Sequence, residues 1–574
     1  MTGKAKPAGA GQDKITIRNL YPEIAGGRYP IKRETDRPLE VTFDLPGVKG
    51  ARPRLLYRMI SPEERRWSSV PMRRSGGITF RGEATLPDPG IYRYTVEVRL
   101  PGREPVRYGR ELEVYVEPPR ARFAAWYELF PRSQGKVEGE HGTFRDTERR
   151  LPDIRRMGFN VIYLPPIHPI GKTNRKGKNN SLTAAPGEPG VPWSVGDETG
   201  GHTAVHSDLG TLEDFRRFVR SAKRAGFEVA LDFTSNCSPD HPWVREHPGW
   251  FFYNPDGTIR YAENPPKKYQ DVCPLNFYPE DREAMWEAVR EIFLFWAANG
   301  VGTFRVDNPH TKPDEFWEWL IREVKGVYPE TVFLAEAFTD YDHLEELARR
   351  GFSQSYSYFT WRTGKNELIE YFLKLTGTYL KEFLRVNCFV NTPDILSEIL
   401  QQGGKPAFML RVALAATICP LYGMYSGYEL LENEPLVPGK ESYLDSEKYQ
   451  IRVRDWNRPG NIKSYIAKLN RIRERNPALQ YYDNLRFFSS TDDAILFYGK
   501  VSPDGKNRIL TAVNLDPFSA HTGRITVPVE LFGFSSDQKY PVRELIGGKP
   551  TTWRGREQYV TLDPKKNPAA IWRI

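Results

Sequence analysis

Cysteine is scarce. Only four occur in 574 residues, Cys237, Cys273, Cys388 and Cys419, widely spaced and without a CxxC pair, so neither a disulfide framework nor a thiolate metal site is indicated. They read as small buried hydrophobes. No run of about 18 apolar residues occurs, so no membrane span is expected. The opening stretch MTGKAKPAGAGQDK has charge but no apolar core; a secretory signal is not expected, and the cytoplasm is the default address. Acids are outnumbered, 73 against 82 Lys and Arg, which gives a net charge of +9. The basic residues are interleaved with acids and form no dense tract or reader motif, so no nucleic-acid partner is expected. A positive bias would equally favour an anionic small substrate. There is no Walker or GxGxxG loop for a nucleotide. His202, His206 and His310 share no zinc-like spacing with cysteines or acids, so no metal, and no cofactor of any kind, is expected.

What is present suffices for a large globular protein. Hydrophobic residues make up 39% and aromatics 13%, enough to bury a core, and the length calls for roughly two to four domains. A head over 1–13 reads as disordered. Residues 14–118 show short β-branched runs cut by turns (LEVTFDLPG, ITFRGEATLPDPG, YRYTVEVRLPG) and are expected to form a β-sandwich. EPPRARF reads as a linker. From 119 to 482 strand-like runs alternate with amphipathic stretches: FNVIYLPPI, TLEDFRRFVRSAKRAG, FEVALDF, REAMWEAVREIFLFWAANG, VGTFRVD, a helix ending near Lys325, and TVFLAEAF. Residues 483–574 return to short strands (AILFYGKV, RILTAVNLD, GRITVPV, YVTLDP) and are expected to form a second β-sandwich. The alternation fits a parallel (β/α)8 barrel with its active site at the C-terminal face, and equally a doubly wound sheet. Periodicity alone leaves that choice open.

Three acids follow three apparent successive strands: Asp307 in GTFRVDNPH, Glu336 in FLAEAF and Asp394 in FVNTPD. An isolated strand-end acid is usually a salt-bridge partner or a helix cap. Three at one barrel mouth are what retaining glycosyl transfer requires. One attacks the anomeric carbon, a second donates and later removes a proton, and a third holds sugar hydroxyls while positive charge develops.

These segments resemble the α-amylase superfamily, glycoside hydrolase family 13, with DFTSNCSPDHPW, GTFRVDNPH, FLAEAF and FVNTPD as the four matching regions. The resemblance implies a (β/α)8 TIM-barrel catalytic domain in a multidomain chain, with Arg305 orienting the nucleophile Asp307, Glu336 as acid/base and Asp394 as transition-state stabiliser. Cys237 and Pro393 stand where amylases usually place sugar-binding histidines. The stretches RYPIKR, AWYELFPRS, PPIHPIGKTNRKGKNN, CSPDHPWVREHPGWF, YAENPPKKYQDVCPLNF, QSYSYFTWR and FVNTPDIL narrow the likeness to the maltose-1-phosphate maltosyltransferases, from about residue 14 to the C-terminus. That family transfers a maltosyl unit from α-maltose 1-phosphate to the non-reducing end of an α-1,4-glucan and releases phosphate.

By the same resemblance Asn264, Lys267, Tyr269 and Asn308 contact the phosphate. Lys176, Asn236, Asp271, Asp394, Lys448 and Tyr449 hold the maltosyl group. Read without it, ENPPKKYQD is a solvated Pro-rich loop and NRKGKNN a basic loop. Position 236 is Asn where the transferases usually have Gln, one methylene longer. The helical insertion that helps those enzymes form a homodimer has no counterpart between residues 14 and 118, so a monomer is expected. A maltose-releasing hydrolase or 4-α-glucanotransferase using glucan donors is the alternative; a non-catalytic glucan binder would be expected to lack one of the three acids.

Overall fold

The computed structural model describes residues 15–60, 66–264 and 267–574, apart from the side chains of Asn264 and Lys267. The head expected to be disordered, 1–13, lies outside the described residues. The chain divides into two compact units, Met1–Pro119 and Arg120–Ile574.

The first unit is built from strands. In Leu39–Asp44 the side chains of Leu39, Val41 and Phe43 are fully buried and their neighbours are not, the period of a strand with one covered face. One sheet has the order Arg18–Tyr21, Leu39–Asp44, Thr79–Ala84, Arg73–Gly76. The other runs Ile31–Glu34, Leu112–Glu117, Gly90–Arg99, Arg52–Met59, Ser68–Pro71, with Val106–Arg107 beside Gly90–Arg99. Its described residues contain no α-helix.

The second unit settles the topology left open by periodicity. Eight strands close into a barrel: β1 (Ala124–Glu128), β2 (Val161–Leu164), β3 (Glu228–Phe233), β4 (Thr303–Asp307), β5 (Val332–Glu336), β6 (Gln354–Tyr356), β7 (Val386–Phe389) and β8 (Leu421–Tyr425). Every neighbouring pair is parallel, and β8 returns to pair with β1. Strands such as β2 and β8 are buried along their whole length, because helices cover one face and the barrel core fills the other. The longer helices are α1 (Phe144–Arg156), α2 (Leu212–Arg224), α3 (Arg282–Ala298), α4 (Asp314–Val327), α5 (Tyr341–Arg349), α6 (Lys365–Gly377) and α7 (Glu398–Ile418), with α8 (Lys463–Arg475) after the last strand. Reciprocal caps start two of them: Thr143 with Asp146 on α1 and Thr211 with Asp214 on α2, each satisfying amide groups that the first turn leaves without partners.

The three acid-bearing strand ends are not successive. β4 and β5 are adjacent, but the short β6 intervenes, and Asp394 lies in the loop after β7 rather than at its end.

Residues beyond α8 form a six-stranded sheet of Leu485–Phe488, Ile495–Val501, Arg508–Asn514, Ala569–Arg573, Lys539–Glu544 and Pro550–Arg554, with a second pair, His521–Thr526 and Glu557–Leu562. Phe497, Leu510, Ile525, Val560 and Trp572 are part of their common core. The sheet meets the barrel through α7, where the Thr417 and Tyr498 hydroxyls are 2.5 Å apart. Among the described residues no helix is long and apolar enough to cross a membrane.

Candidate active site

Strand register assembles the site. Across β3 and β4, Asp232 is opposite Arg305; across β4 and β5, Asp307 is opposite Glu336. Arg305 and Asp307 are two residues apart and so share one face of β4. The consequence is a compact charge cluster at the C-terminal mouth. Arg305 Nη1 lies 2.8 Å from Asp307 Oδ1 and 3.0 Å from Asp232 Oδ2, and its Nη2 lies 2.8 Å from Glu336 Oε1. Tyr163 on β2 donates to Asp232 at 2.5 Å. Thr234, just after β3, donates through its hydroxyl to Asp307 Oδ2 at 3.3 Å.

Burial sets the protonation of the cluster. It pushes the Glu336 carboxyl up to about 8, against the pull of Arg305 and with the push of the Asp307 carboxylate. It also pushes Asp232 up to about 7, again against Arg305. Burial opposes the charge on Arg305, yet Asp232 and Glu336 together hold its pKa well above the usual value. One guanidinium thus serves three carboxyl groups, and the acids cannot all be ionised at neutral pH without strong mutual repulsion.

The other expected residues gather around this centre. Asn308 has a left-handed backbone, φ 44°, which Asn tolerates better than most residues. That turn aims its backbone N–H at Glu336 Oε2, 3.3 Å away. Lys448 donates to both oxygens of Asp394 at 2.8 and 3.0 Å. Burial works against the Lys448 ammonium, but Asp394 outweighs it and raises its pKa. Asn391 accepts from the Tyr425 amide at 2.9 Å and donates to the Tyr443 hydroxyl at 2.8 Å, which ties the Asp394 loop to β8.

Lys176 donates to Asn180 Oδ1 at 2.9 Å and to the Lys268 carbonyl at 3.2 Å. It therefore joins the NRKGKNN loop to the hairpin of Ala262–Asn264 and Lys267–Tyr269. Burial depresses the Lys176 ammonium and raises the Asp271 carboxyl, each partly offset by the other's charge. Tyr269 is pushed up to about 12 by burial and lies within the field of Lys448, Asp394, Asp307 and Glu336. Tyr449 is also raised by burial, with the Lys448 charge opposing and the Asp394 charge adding to the shift. The Asn236 amide nitrogen of the backbone donates to the Thr234 hydroxyl at 3.2 Å, and its side-chain Oδ1 is buried without a partner. For Asn264 and Lys267 only the backbone is described, paired across the hairpin.

Four side chains not singled out in the sequence belong to the same region. Asp232 is one, and its position opposite Arg305 in adjacent strands is the signal that could have found it. Thr234 is a second. The Trp193 ring lies 5.1 Å from Lys448 Nζ. Glu128, at the end of β1, is buried with Oε2 unpartnered and its pKa pushed well up by burial. Tertiary packing also makes two groupings of potential metal ligands, His202 with Cys237 and His241, and His141 with His206 and Asp208, the ligand atoms of each lying within 4.8 Å of one another. The first needs tertiary packing, because His202 comes from the loop before α2 whereas Cys237 and His241, four residues apart, follow β3.

Comparison with known proteins gives a consistent picture. Residues 13–99 match the family model for α-1,4-glucan:maltose-1-phosphate maltosyltransferase, domain N/S; residues 128–345 match the α-amylase catalytic domain; residues 487–574 match the model described as GLGE, C-terminal. An α-1,4-glucan:maltose-1-phosphate maltosyltransferase from Rhodospirillum rubrum is 55% identical over 480 residues, covering 83% of this chain and 70% of that one. One of the same name from Chlorobaculum tepidum is 43% identical over 651 positions, covering 98% and 97%; those positions outnumber the 574 residues here, so that relative holds segments this chain lacks. Among solved structures, a maltogenic α-amylase from Thermotoga neapolitana has a TM-score of 0.61 at 18% identity over 79% of this chain and 98% of its own. A cyclomaltodextrinase has a TM-score of 0.61 at 14% identity over 94% and 96%. At such identities the likeness is one of fold.

Proposed function

The chain belongs to the α-1,4-glucan:maltose-1-phosphate maltosyltransferase family, and from that premise we propose that it transfers a maltosyl unit from α-maltose 1-phosphate to the non-reducing end of an α-1,4-glucan, releasing phosphate with net retention. The observation that carries the mechanism is Arg305 ion-paired at once to Asp307 and Glu336.

In the first half-reaction Asp307 attacks the anomeric carbon while the phosphate leaves. The guanidinium holds Asp307 Oδ1, leaving Oδ2, with its longer contact to Thr234, as the attacking oxygen. Glu336, raised to about 8, is protonated at neutral pH and donates to the departing phosphate oxygen. Once Asp307 is esterified its negative charge is gone. Glu336 then loses one of the charges that raised it, ionises more readily, and becomes the base that deprotonates the incoming glucan hydroxyl. Asp394 and Lys448 exchange their mutual contact for hydroxyls of the maltosyl unit and stabilise the charge that develops at the ring. The hairpin with Asn264, Lys267 and Tyr269, together with Asn308, receives the phosphate, an anion that leaves best among charge-assisted donors. The enzyme builds α-glucan in the cytoplasm and acts as a monomer.

The test compares maltose 1-phosphate, glucose 1-phosphate and maltohexaose as donors with a glucan acceptor, following phosphate and chain length together. Phosphate release coupled to extension by two glucose units is the expected result. Extension from maltohexaose with no response to maltose 1-phosphate would replace the proposal with a glucan-donor transferase.

A further inference from the structure

Two buried histidines lie behind the nucleophile with every ring nitrogen engaged. The backbone N–H of Trp243 donates to His241 Nδ1 at 3.1 Å. An amide can only donate, so His241 Nδ1 carries no proton, and in the neutral ring the proton sits on Nε2. That Nε2 lies 3.1 Å from His202 Nδ1, which must accept. His202 then carries its own proton on Nε2, which donates to the Thr234 carbonyl at 2.9 Å. The tautomers are fixed in one direction from Trp243 to Thr234. Burial depresses both imidazoles, His241 to about 3 and His202 well below its usual value, so both are neutral at working pH. No lone pair is left for a metal ion beside Cys237.

The surroundings leave the rings no freedom. A side chain at Gly196 would come within 2.3 Å of the His241 ring, and one at Gly201 within 2.2 Å; the left-handed φ of 102° at Gly196 is a further reason for glycine. The carbonyl of His202 accepts from the indole of Trp296 at 2.8 Å. The chain of bonds ends on a residue that touches the reacting group. The Thr234 hydroxyl accepts from the Asn236 amide at 3.2 Å and donates to Asp307 Oδ2 at 3.3 Å.

We propose that His202 and His241 are positioning residues for the nucleophile: a neutral two-imidazole relay that fixes Thr234 so that its hydroxyl aims Asp307 at the anomeric carbon. This rests on the reading of Asp307 as nucleophile, not on the identity of the leaving group. A misaimed nucleophile loses rate more than affinity, because the sugar is held elsewhere; displacement of a reacting group by about 1 Å is worth on the order of a hundredfold in rate.

The experiment uses α-maltosyl fluoride, an activated donor that needs no phosphate site, and reads fluoride release and the KM and kcat of the full-length protein, with a melting curve for each variant. His202→Leu breaks the relay, Thr234→Val removes only its last hydroxyl, and His202→Gln keeps both an acceptor for His241 and a donor for Thr234. Expected are losses in kcat of about 10- to 100-fold for Thr234→Val and His202→Leu with KM within about twofold, recovery of most of that loss in His202→Gln, and no further loss in the double variant His202→Leu/Thr234→Val beyond the larger single one. Thr234→Val turning over at the wild-type rate would overturn the proposal, as would losses that multiply in the double variant. If His202→Leu does not fold, Thr234→Val and His202→Gln still decide. Wild-type protein that uses the fluoride but not maltose 1-phosphate would refute the phosphate donor while leaving the relay test intact.

Discussion

Arg305 Nη2 lies 2.8 Å from Oε1 of Glu336, yet the Glu336 carboxyl is raised, because its burial and the charges of Asp307, Asp394 and Asp232 outweigh that one cation. The acid form is therefore the resting form at neutral pH. The rate of the first half-reaction is expected to fall as pH rises through about 8, where Glu336 loses its proton. Single-turnover phosphate release measured between pH 6 and 10 reads this limb. A flat profile across that range would remove Glu336 as the proton donor.

Replacing Glu336 by Gln separates its two roles. Phosphate is a good leaving group, whereas the glucan hydroxyl needs a base, so Glu336→Gln is expected to slow the second half-reaction more than the first and to accumulate a maltosyl ester on Asp307. Intact-protein mass spectrometry after mixing with donor reads the adduct. Asp307→Ala, which lacks the oxygen that bonds to carbon, is expected to give neither adduct nor turnover.

The same substitution has a stability consequence whose sign follows from linkage. A carboxyl whose folded pKa exceeds its unfolded value favours the fold when protonated. Its contribution is present below the unfolded pKa and is lost as pH rises from there through the folded value of about 8. Glu336→Gln removes that loss, so the variant is expected to melt higher than wild type at pH 8 by about 1–4 °C, with the gap closing at pH 5. An equal gap at both pH values would show that the carboxyl does not carry the effect. A gap that closes at pH 5 would make the wild-type acid an example of a site held at the expense of stability.

How much of this was legible in the residues depended on length and on register. β4 and β5 could be read because GTFRVD and VFLAE combine apolar runs with a terminal acid. β6 was not, since Gln354–Tyr356 is three residues long and has no apolar run; its place in the barrel is fixed by pairing with β5 and β7. FEVALDF read as a strand, but the role of Asp232 emerged only when β3 and β4 were in register. His202 and His241 meet through tertiary packing, which no local spacing encodes. Asn236 and Tyr449 could be named only by resemblance, because loop residues carry no periodicity.

Lys448 and Asp394 form a second test of the donor site. Lys448 is mostly buried while about 36% of the Asp394 side chain is exposed, so their contact is partly screened. Lys448→Gln removes a charge-assisted bond worth about 1.5–3 kcal/mol and is expected to lower kcat/KM by about 10- to 100-fold. Asp394→Asn in the same background is expected to add less than it does alone, because the two act as a unit. Fully multiplicative losses would show independent roles.

Donor specificity rests on the hairpin that carries Lys267 and Tyr269. Its backbone is fixed by the pairing of Asn264 with Lys267 and of Ala262 with Tyr269, and its Lys268 carbonyl is held by Lys176, so the hairpin is anchored to the loop on the maltosyl side. If the hairpin receives the phosphate, Lys267→Ala removes one charge-assisted contact of about 1.5–3 kcal/mol and is expected to lower kcat/KM for maltose 1-phosphate by about 10- to 100-fold. Activity on α-maltosyl fluoride, whose leaving group is a single small halide, is expected to change by less than about threefold, since the nucleophile and the sugar contacts are untouched. A damaged fold would lower both together. Measuring both donors on one preparation of the variant, with its melting curve, therefore distinguishes a phosphate contact from a structural lesion. Equal losses on the two donors, or none on the phosphorylated one, would remove Lys267 from the phosphate site.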